Sequence, residues 1–250
     1  MDLHCHCLPD LDDGPASLWE SLMLCQALAD DGISAVIATP HQLGGFEAST
    51  DARRIRRAVE QLNNELRDQG VDLKVLPGAE VRLDERLDTL LATGEILTLA
   101  DKGRHLLVEF PEEVFIDIEP LVAQLHARGV GIIIAHPERR AALLGRPRVL
   151  RRWLDRGAAV QITAASLVGG FGPAVARAAW TLIARRMAAL VATDAHDRGA
   201  GGPRMTEAYE MISDRFGPEL ARRLCIENPT RVLRGDRLVP VGSEERQGVG

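Results

Sequence analysis

Six short apolar runs in this chain each end in a histidine or a carboxylate, and no other feature of the sequence limits the fold as strongly. Residues 1–3 run into His4-Cys5-His6, residues 33–39 into Pro40-His41, and residues 71–76 into Pro77-Gly78-Ala79-Glu80. Residues 105–108 stop at Glu109, 130–135 at His136, and 188–193 at Asp194-Ala195-His196. Runs such as Val36-Ile37-Ala38, Ile132-Ile133-Ile134 and Leu190-Val191-Ala192 are apolar on both faces, as expected of parallel strands covered by helices. If these strands are neighbours, their polar ends meet on one rim, where β/α barrels carry their active sites.

Between the runs the periodicity turns helical. Ser17-Leu18-Trp19-Glu20 reads as a capping box, followed by Leu18, Leu22, Cys25, Leu28 and Ala29 at helical spacing until Asp31-Gly32. Further helices are expected over residues 51–69, 84–92, 118–128, 148–156, 173–186 and 204–216, and glycines 32, 70, 129 and 157 close helices just before strands. Seven strands alternating with helices predict a closed or nearly closed β/α barrel. With 250 residues and no Pro/Ser-rich linker, a single domain over 1–235 is expected, followed by a polar, Gly-rich tail over 236–250 that reads as disordered.

Composition removes several function classes. A net charge of −6 and only 4% aromatic residues argue against a nucleic-acid or membrane-surface binder. No apolar run reaches the roughly 20 residues needed to cross a bilayer. Four cysteines without a signal-peptide pattern point to free thiols in a reducing, cytoplasmic setting. At Cys5 and Cys7 a cysteine-based phosphatase is excluded, because counting on past a five-residue loop reaches Leu11 or Asp13 and not the arginine that chemistry needs.

The strand ends carry the chemistry. Strand alternation turns His4 and His6 to one side, able to share an ion, and Cys5 and Cys7 to the other, into the core. Asp13, in Asp12-Asp13-Gly14, offers a hard oxygen ligand nearby, although either aspartate could instead cap a loop. His41 lies on a prolyl turn at the same rim, and Glu80 and Glu109 follow apolar strand residues, where an unpaired carboxylate is costly unless a cation neutralises it. His136 and the Asp194/His196 pair complete a set of nine, whereas His105 and His126 fit no such pattern. One ion takes four to six ligands, so nine candidates imply two or three ions with bridging carboxylates. Mixed imidazole and carboxylate donors suit manganese, iron or zinc, and the lack of a thiolate argues against a structural zinc. Hydrolysis is the favoured chemistry, since a water bridging two cations is a hydroxide nucleophile near neutral pH.

The signatures His4-x-His6, Asp12-Asp13-Gly14, Thr39-Pro40-His41, Gly78-Ala79-Glu80, His136-Pro137-Glu138-Arg139 and Asp194-Ala195-His196 resemble the polymerase and histidinol phosphatase (PHP) superfamily. Residues 8–14 and Glu227-Asn228-Pro229 resemble its bacterial protein tyrosine phosphatases of the CpsB/CapC type, encoded with capsule and exopolysaccharide genes. The resemblance implies a distorted seven-stranded β/α barrel (the PHP fold). It also implies a trinuclear, usually manganese-dependent site acting on the tyrosine-rich tail of a bacterial tyrosine kinase. On this likeness His4, His6, Glu80 and Asp194 would surround one ion, Glu80, Glu109 and His136 a second, and Asp13, His41 and His196 a third. Arg139 would hold the phosphate, the alternative being a rim salt bridge to Glu138 or Glu112.

Three stretches depart from that pattern. Gln42 replaces a second histidine, residues 163–166 read Thr-Ala-Ala-Ser in place of a more polar stretch, and residues 201–204 lack the second phosphate-side arginine, for which Arg198 or Arg204 could substitute. The competing functions are a small-molecule PHP phosphoesterase, directed at histidinol phosphate or a nucleotide, and a non-catalytic metal-stabilised scaffold.

Overall fold

The apolar runs form strands that are buried on both faces. The computed structural model describes residues 1–111, 114–199 and 202–239. Its strands are β1 (Asp2–Cys5), β2 (Ala35–Ala38), β3 (His41–Gln42), β4 (Lys74–Pro77), β5 (Glu80–Arg82), β6 (His105–Glu109), β7 (Gly131–Ile134), β8 (Ala159–Thr163) and β9 (Leu190–Ala192). All pair in parallel, in the orders β1-β2-β4 and β3-β5-β6-β7-β8-β9.

Two junctions join these sheets into a curled, distorted barrel. At the first, β2 runs on into β3 across Thr39-Pro40 and β4 into β5 across Gly78-Ala79, with the same 39-residue pairing offset on both sides of the break. At the second, the Asp194 N–H donates to the His4 carbonyl (2.7 Å) and the His6 N–H to the Ala195 carbonyl (2.9 Å), so β1 meets the end of β9. The seven expected strand positions are therefore present, two of them interrupted. The interruptions have local causes. Pro40 has no N–H to give to a ladder, and a Cβ on Gly78 would stand 2.5 Å from Ile37 Cγ2, so the chain can cross β2 there only without a side chain.

The helices are α1 (Leu18–Asp30), α2 (Ala52–Asp68), α3 (Leu87–Thr93), α4 (Glu119–Ala127), α5 (Ala141–Leu144), α6 (Pro147–Asp155), α7 (Ala164–Leu167), α8 (Pro173–Ala184), α9 (Met205–Phe216), α10 (Pro218–Arg222) and α11 (Asn228–Arg234). The Ser17 box caps α1: the Ser17 hydroxyl accepts from Glu20 N–H at 3.3 Å, while the Glu20 carboxylate reaches one residue further back, to Ala16 N–H. The one-turn helices α5 and α7, and the α10–α11 stretch with its π-turn over Arg223–Glu227, are not legible as periodicity because each is too short to show a repeat.

Alternation along the strands divides the core into two shells. Leu3, Ile37, Leu107, Ile133, Leu190 and Ala192 fill the barrel. Val36, Ala38, Leu106, Val108, Ile132, Ile134, Val160, Ile162 and Val191 face the helices, with Cys5 and Cys7 in the same outer shell. The next inward positions above Leu107 and Ala192 are Glu109 and Asp194, so the strand period itself lifts these carboxylates onto the rim. Of the expected tail, residues 240–250 lie outside the described residues. The stretch before them is packed, because Asn228 holds both the N–H and the carbonyl of Val239 (3.3 and 3.2 Å), and Leu238 lies against the barrel interior.

Gly78→Ala is expected to lower stability by about 1–3 kcal/mol, the usual cost of overpacking a filled interior. Urea denaturation measures it, and an unchanged midpoint would show that the β2 crossing tolerates a side chain.

Candidate metal centre

All nine side chains at the strand ends come together. Ligand atoms lie within 4.8 Å of one another in four overlapping groups: His4, His6 and Glu80; His4, His136 and Asp194; His41, Glu80 and Glu109; and His6, Asp13, His41 and His196. Glu80 belongs to two of these groups and lies beside four of the imidazoles. It is 1% exposed, its Oε1 lies 2.8 Å from His136 Nε2, and its Oε2 lies 3.2 to 3.5 Å from His41, His4 and His6. His136 and Asp194 are held with φ of 32° and 54°, in the left-handed region that residues with a side chain seldom adopt, so the fold sustains strain at both positions.

The outward hydrogen bonds of the imidazoles decide what the inward atoms can do. His4 Nδ1 meets Gln161 Oε1 at 3.0 Å, His6 Nδ1 meets Asp12 Oδ2 at 2.7 Å, and His196 Nδ1 meets the Asp194 carbonyl at 3.0 Å. Each partner is an acceptor, so each Nδ1 carries the proton and, in the neutral ring, each Nε2 presents a lone pair. The Nε2 atoms of His4 and His6 then face each other at 3.2 Å, with Asp194 Oδ1 and Glu80 Oε2 beside them. Converging acceptors without donors require a cation, and a ligand histidine held through its other nitrogen by a carboxylate or carbonyl is the usual form of a metal site. The donor set therefore fits divalent ions.

Without ions, protons take up part of that role. Burial pushes the His4 and His6 imidazoles down, but carboxylates outweigh it: Asp194 and Glu80 hold His4 well above its ordinary value, and Asp12 and Glu80 bring His6 up to about 10. Glu80 and Asp194 stay well below the usual carboxylate range despite burial, chiefly because of His4. Burial and the neighbouring Glu80 push Glu109 up. Burial brings His136 down to about 4.

The chain matches the family described as "Capsular polysaccharide synthesis, CpsB/CapC" over residues 1–234. The chain belongs to the CpsB/CapC family. It is 35% identical to "Tyrosine-protein phosphatase YwqE" of Bacillus subtilis (strain 168) over 239 residues, covering 95% of this chain and 93% of the relative. It is 30% identical to "Tyrosine-protein phosphatase CpsB" of Streptococcus pneumoniae, over 96% and 100% of the two chains. Its fold superposes with a TM-score of 0.91, at 34% identity over 95% of this chain and 96% of the other, on a chain from crystal structures of YwqE from Bacillus subtilis and CpsB from Streptococcus pneumoniae, described as unique metal-dependent tyrosine phosphatases.

Within this family frame, the neighbouring side chains group differently from the expected partition at three of them, His6, His41 and His136, with His6 joining Asp13, His41 and His196. His136 groups with His4 and Asp194 and touches Glu80, while the third group that contains Glu109 takes His41 instead. Arg139 lies at the rim and pairs with Asp194 Oδ2, not with Glu138. Glu138 is 1% exposed and accepts from Thr163 N–H (2.9 Å) and Ser166 Oγ (2.7 Å), which ties the start of α7 to the rim. Glu112 lies outside the described residues. Gln42 points away from the centre: it donates to Thr50 O and accepts from Leu97 N–H, both at 2.7 Å, and so anchors the 43–50 loop. Arg204 pairs with Glu207 and Arg198 reaches Met23 Sδ, so neither touches the cluster among the described residues.

Sequence reasoning missed several partners. Asp12 orients His6 and also accepts from the His41 N–H at 2.9 Å. Gln161 orients His4 from an inward strand position that reads as core. Arg140 pairs with Glu109, and Arg82 lies 3.7 Å from the same carboxylate. Only Asp12 left a signal, as part of Asp12-Asp13-Gly14.

His6 at about 10 in the folded, metal-free state exceeds the ordinary 6.5, so its protonation stabilises the fold fully below pH 6.5 and that contribution fades as pH rises to about 10. The melting temperature in chelator is expected to fall across that window. Added divalent ions should release protons and flatten the fall, as an indicator-dye titration would register. A metal-free melting temperature that rises with pH in this window would contradict the assignment.

Proposed function

We propose that this chain is a metal-dependent protein tyrosine phosphatase. The observation that carries the reading is the buried face-to-face arrangement of the His4 and His6 Nε2 atoms with Glu80 and Asp194. It is supported by the relatives of similar length that bear the tyrosine phosphatase name. His4, His6, Asp13, His41, Glu80, Glu109, His136, Asp194 and His196 would hold two or three ions; the mixed imidazole and carboxylate donors suit manganese, iron or zinc, and the family resemblance favours manganese. When bound, such ions polarise a phosphoryl group and lower the pKa of water.

The protein's own part is binding and orientation. His41, His196 and Asp13 are the exposed side of the cluster, which leaves substrate an approach from the rim. Arg139 stands there with its guanidinium 4.8 Å from the Phe171 ring, and Phe46 stacks on His41 at 5.4 Å. A planar fork suits two phosphate oxygens, and the aromatic rings suit a phenyl ester beside them. Arg139, which pairs with Asp194, would be free to bind the substrate phosphate where an ion neutralised that carboxylate. Arg82, 3.7 Å from Glu109, would take the role of the second phosphate-side arginine. Tyrosine leaves as a phenolate whose conjugate acid has a pKa of about 10, so no strong acid is needed from the protein. The substrate is a phosphotyrosine protein, and the family's link to capsule synthesis favours the tyrosine-rich tail of a bacterial tyrosine kinase. Among the described residues no helix is long and apolar enough to cross a membrane, and a cytoplasmic location fits the free, buried cysteines.

Phosphate release from a phosphotyrosine peptide and from histidinol phosphate, by metal-free protein with and without manganese, tests the reading. Manganese-dependent turnover of the peptide is expected, and preference for histidinol phosphate would assign a small-molecule substrate instead. His136→Ala is expected to abolish turnover with the fold intact. Arg139→Ala is expected to lower kcat/KM by roughly 10- to 100-fold, the worth of a charged hydrogen bond, without changing metal content. A fall in metal content would make Arg139 structural.

A further inference from the structure

We propose that the opposite end of the barrel carries a second ligand site, for a phosphorylated small molecule with an apolar body, of nucleotide size. A cavity of about 620 Å³ opens where β6, β7, β8 and β9 begin, sharing no residue with the metal centre, and its volume lies in the range of small-molecule sites. Ile133, Leu154, Met187 and Leu238 supply apolar wall, and Arg104, Arg151, Arg186 and Arg237 ring it. Among the described residues the only acid in the lining is Asp155, with Asp236 close enough to act on His105.

These arginines differ from others on the surface. Arg86 and Arg152, for example, each bind two carboxylates. Among the described residues none of the four cavity arginines has an ion pair. Arg104 and Arg151 donate to backbone carbonyls, of Gly235 at 3.3 Å and Arg185 at 3.1 Å. Four arginines around one concavity, with a single lining carboxylate among the described residues, favour a ligand bearing more than one negative charge, and the planar fork favours phosphate. His105, 5% exposed, adds a buried ring whose Nδ1 has no hydrogen-bond partner among the described residues.

Arg186 gives the independent observation. The turns that lead into β2, β4, β7 and β8 use Gly32, Gly70, Gly129 and Gly157, with φ of 80°, 70°, 79° and 103°. The equivalent turn into β9 places Arg186 there, with φ of 55°. Met187 N–H donates to Leu182 O at 2.9 Å, the helix-ending bond at which glycine is usual. A side chain at this backbone position is strained, and the strain is explained if the guanidinium is needed at the cavity. Its other contact, 5.9 Å from the Phe216 ring centroid, is at the outer limit of a cation–π interaction. The inference stands apart from the phosphatase reading.

Fluorescence titration of the full, metal-free chain with N-methylanthraniloyl-ADP tests it, with unlabelled ADP as competitor. Saturable binding that ADP displaces is expected for the wild type and for Arg139→Ala. Arg186→Gly and the Arg104→Ala/Arg237→Ala double variant are expected to bind at least about tenfold more weakly, the loss of one or more charge-assisted hydrogen bonds. Arg186→Gly should melt at or above the wild-type temperature, because glycine adopts this backbone freely, which separates lost binding from lost folding. The absence of saturable binding, failure of ADP to displace the probe, wild-type affinity in Arg186→Gly, or loss of binding in Arg139→Ala would each overturn the proposal.

Discussion

A single buried carboxylate sets the terms for the rest of this molecule. Glu80 is within 3.5 Å of four imidazoles and almost wholly out of water, a placement that is unfavourable unless positive charge surrounds it. It reaches that point because β4 breaks at Gly78-Ala79 and resumes in the same register, setting Glu80 directly beside His41 on β3. The break depends in turn on the missing side chain of Gly78 against Ile37. A steric detail at the wall of the barrel thus controls the geometry of its rim.

Three of the clustered imidazoles, those of His4, His6 and His196, are held from behind rather than from within the cluster. Asp12, Gln161 and the Asp194 carbonyl each take a Nδ1 proton and turn the opposite nitrogen inward. This arrangement leaves the interior of the site rich in lone pairs and poor in donors, an electrostatic demand that protons meet only in part. Arg139 and Arg140 supply cationic partners from adjacent positions just after β7, one to Asp194 and the other to Glu109. The same two carboxylates are candidate ligands, so an ion bound there would compete with these arginines for shared oxygens.

Membership in the CpsB/CapC family and a fold shared with metal-dependent tyrosine phosphatases agree with this electrostatic design. The barrel has two chemically distinct ends. The strand C-termini gather carboxylates and imidazoles, whereas the starts of β6 to β9 are ringed by arginines around an apolar hollow. The separation follows from parallel pairing, which aligns all like ends of the strands and lets each rim acquire its own charge.

Much of the architecture was legible because burial on both faces writes itself into short runs such as Ile132-Ile133-Ile134, and because glycines mark the returns to the sheet. The polar residues that end those runs could be recognised as one constellation, since parallel strands must bring their C-termini together. Alternation also predicted that Cys5 and Cys7 lie in the core, and both are fully buried. Sequence could not show which side chains approach one another: His136 lies with His4 from β1 and Asp194 from beyond β9, a relation set by how the sheet curls. Nor could it distinguish Arg139 from Arg140, Glu138 as an α7 anchor, or Gln161 as a histidine support, because each role depends on which neighbour the closed sheet presents. Local pattern and periodicity determined the strands and the chemical character of their ends; only closure of the barrel decided the contacts, because those residues are distant in sequence and meet solely through three-dimensional packing.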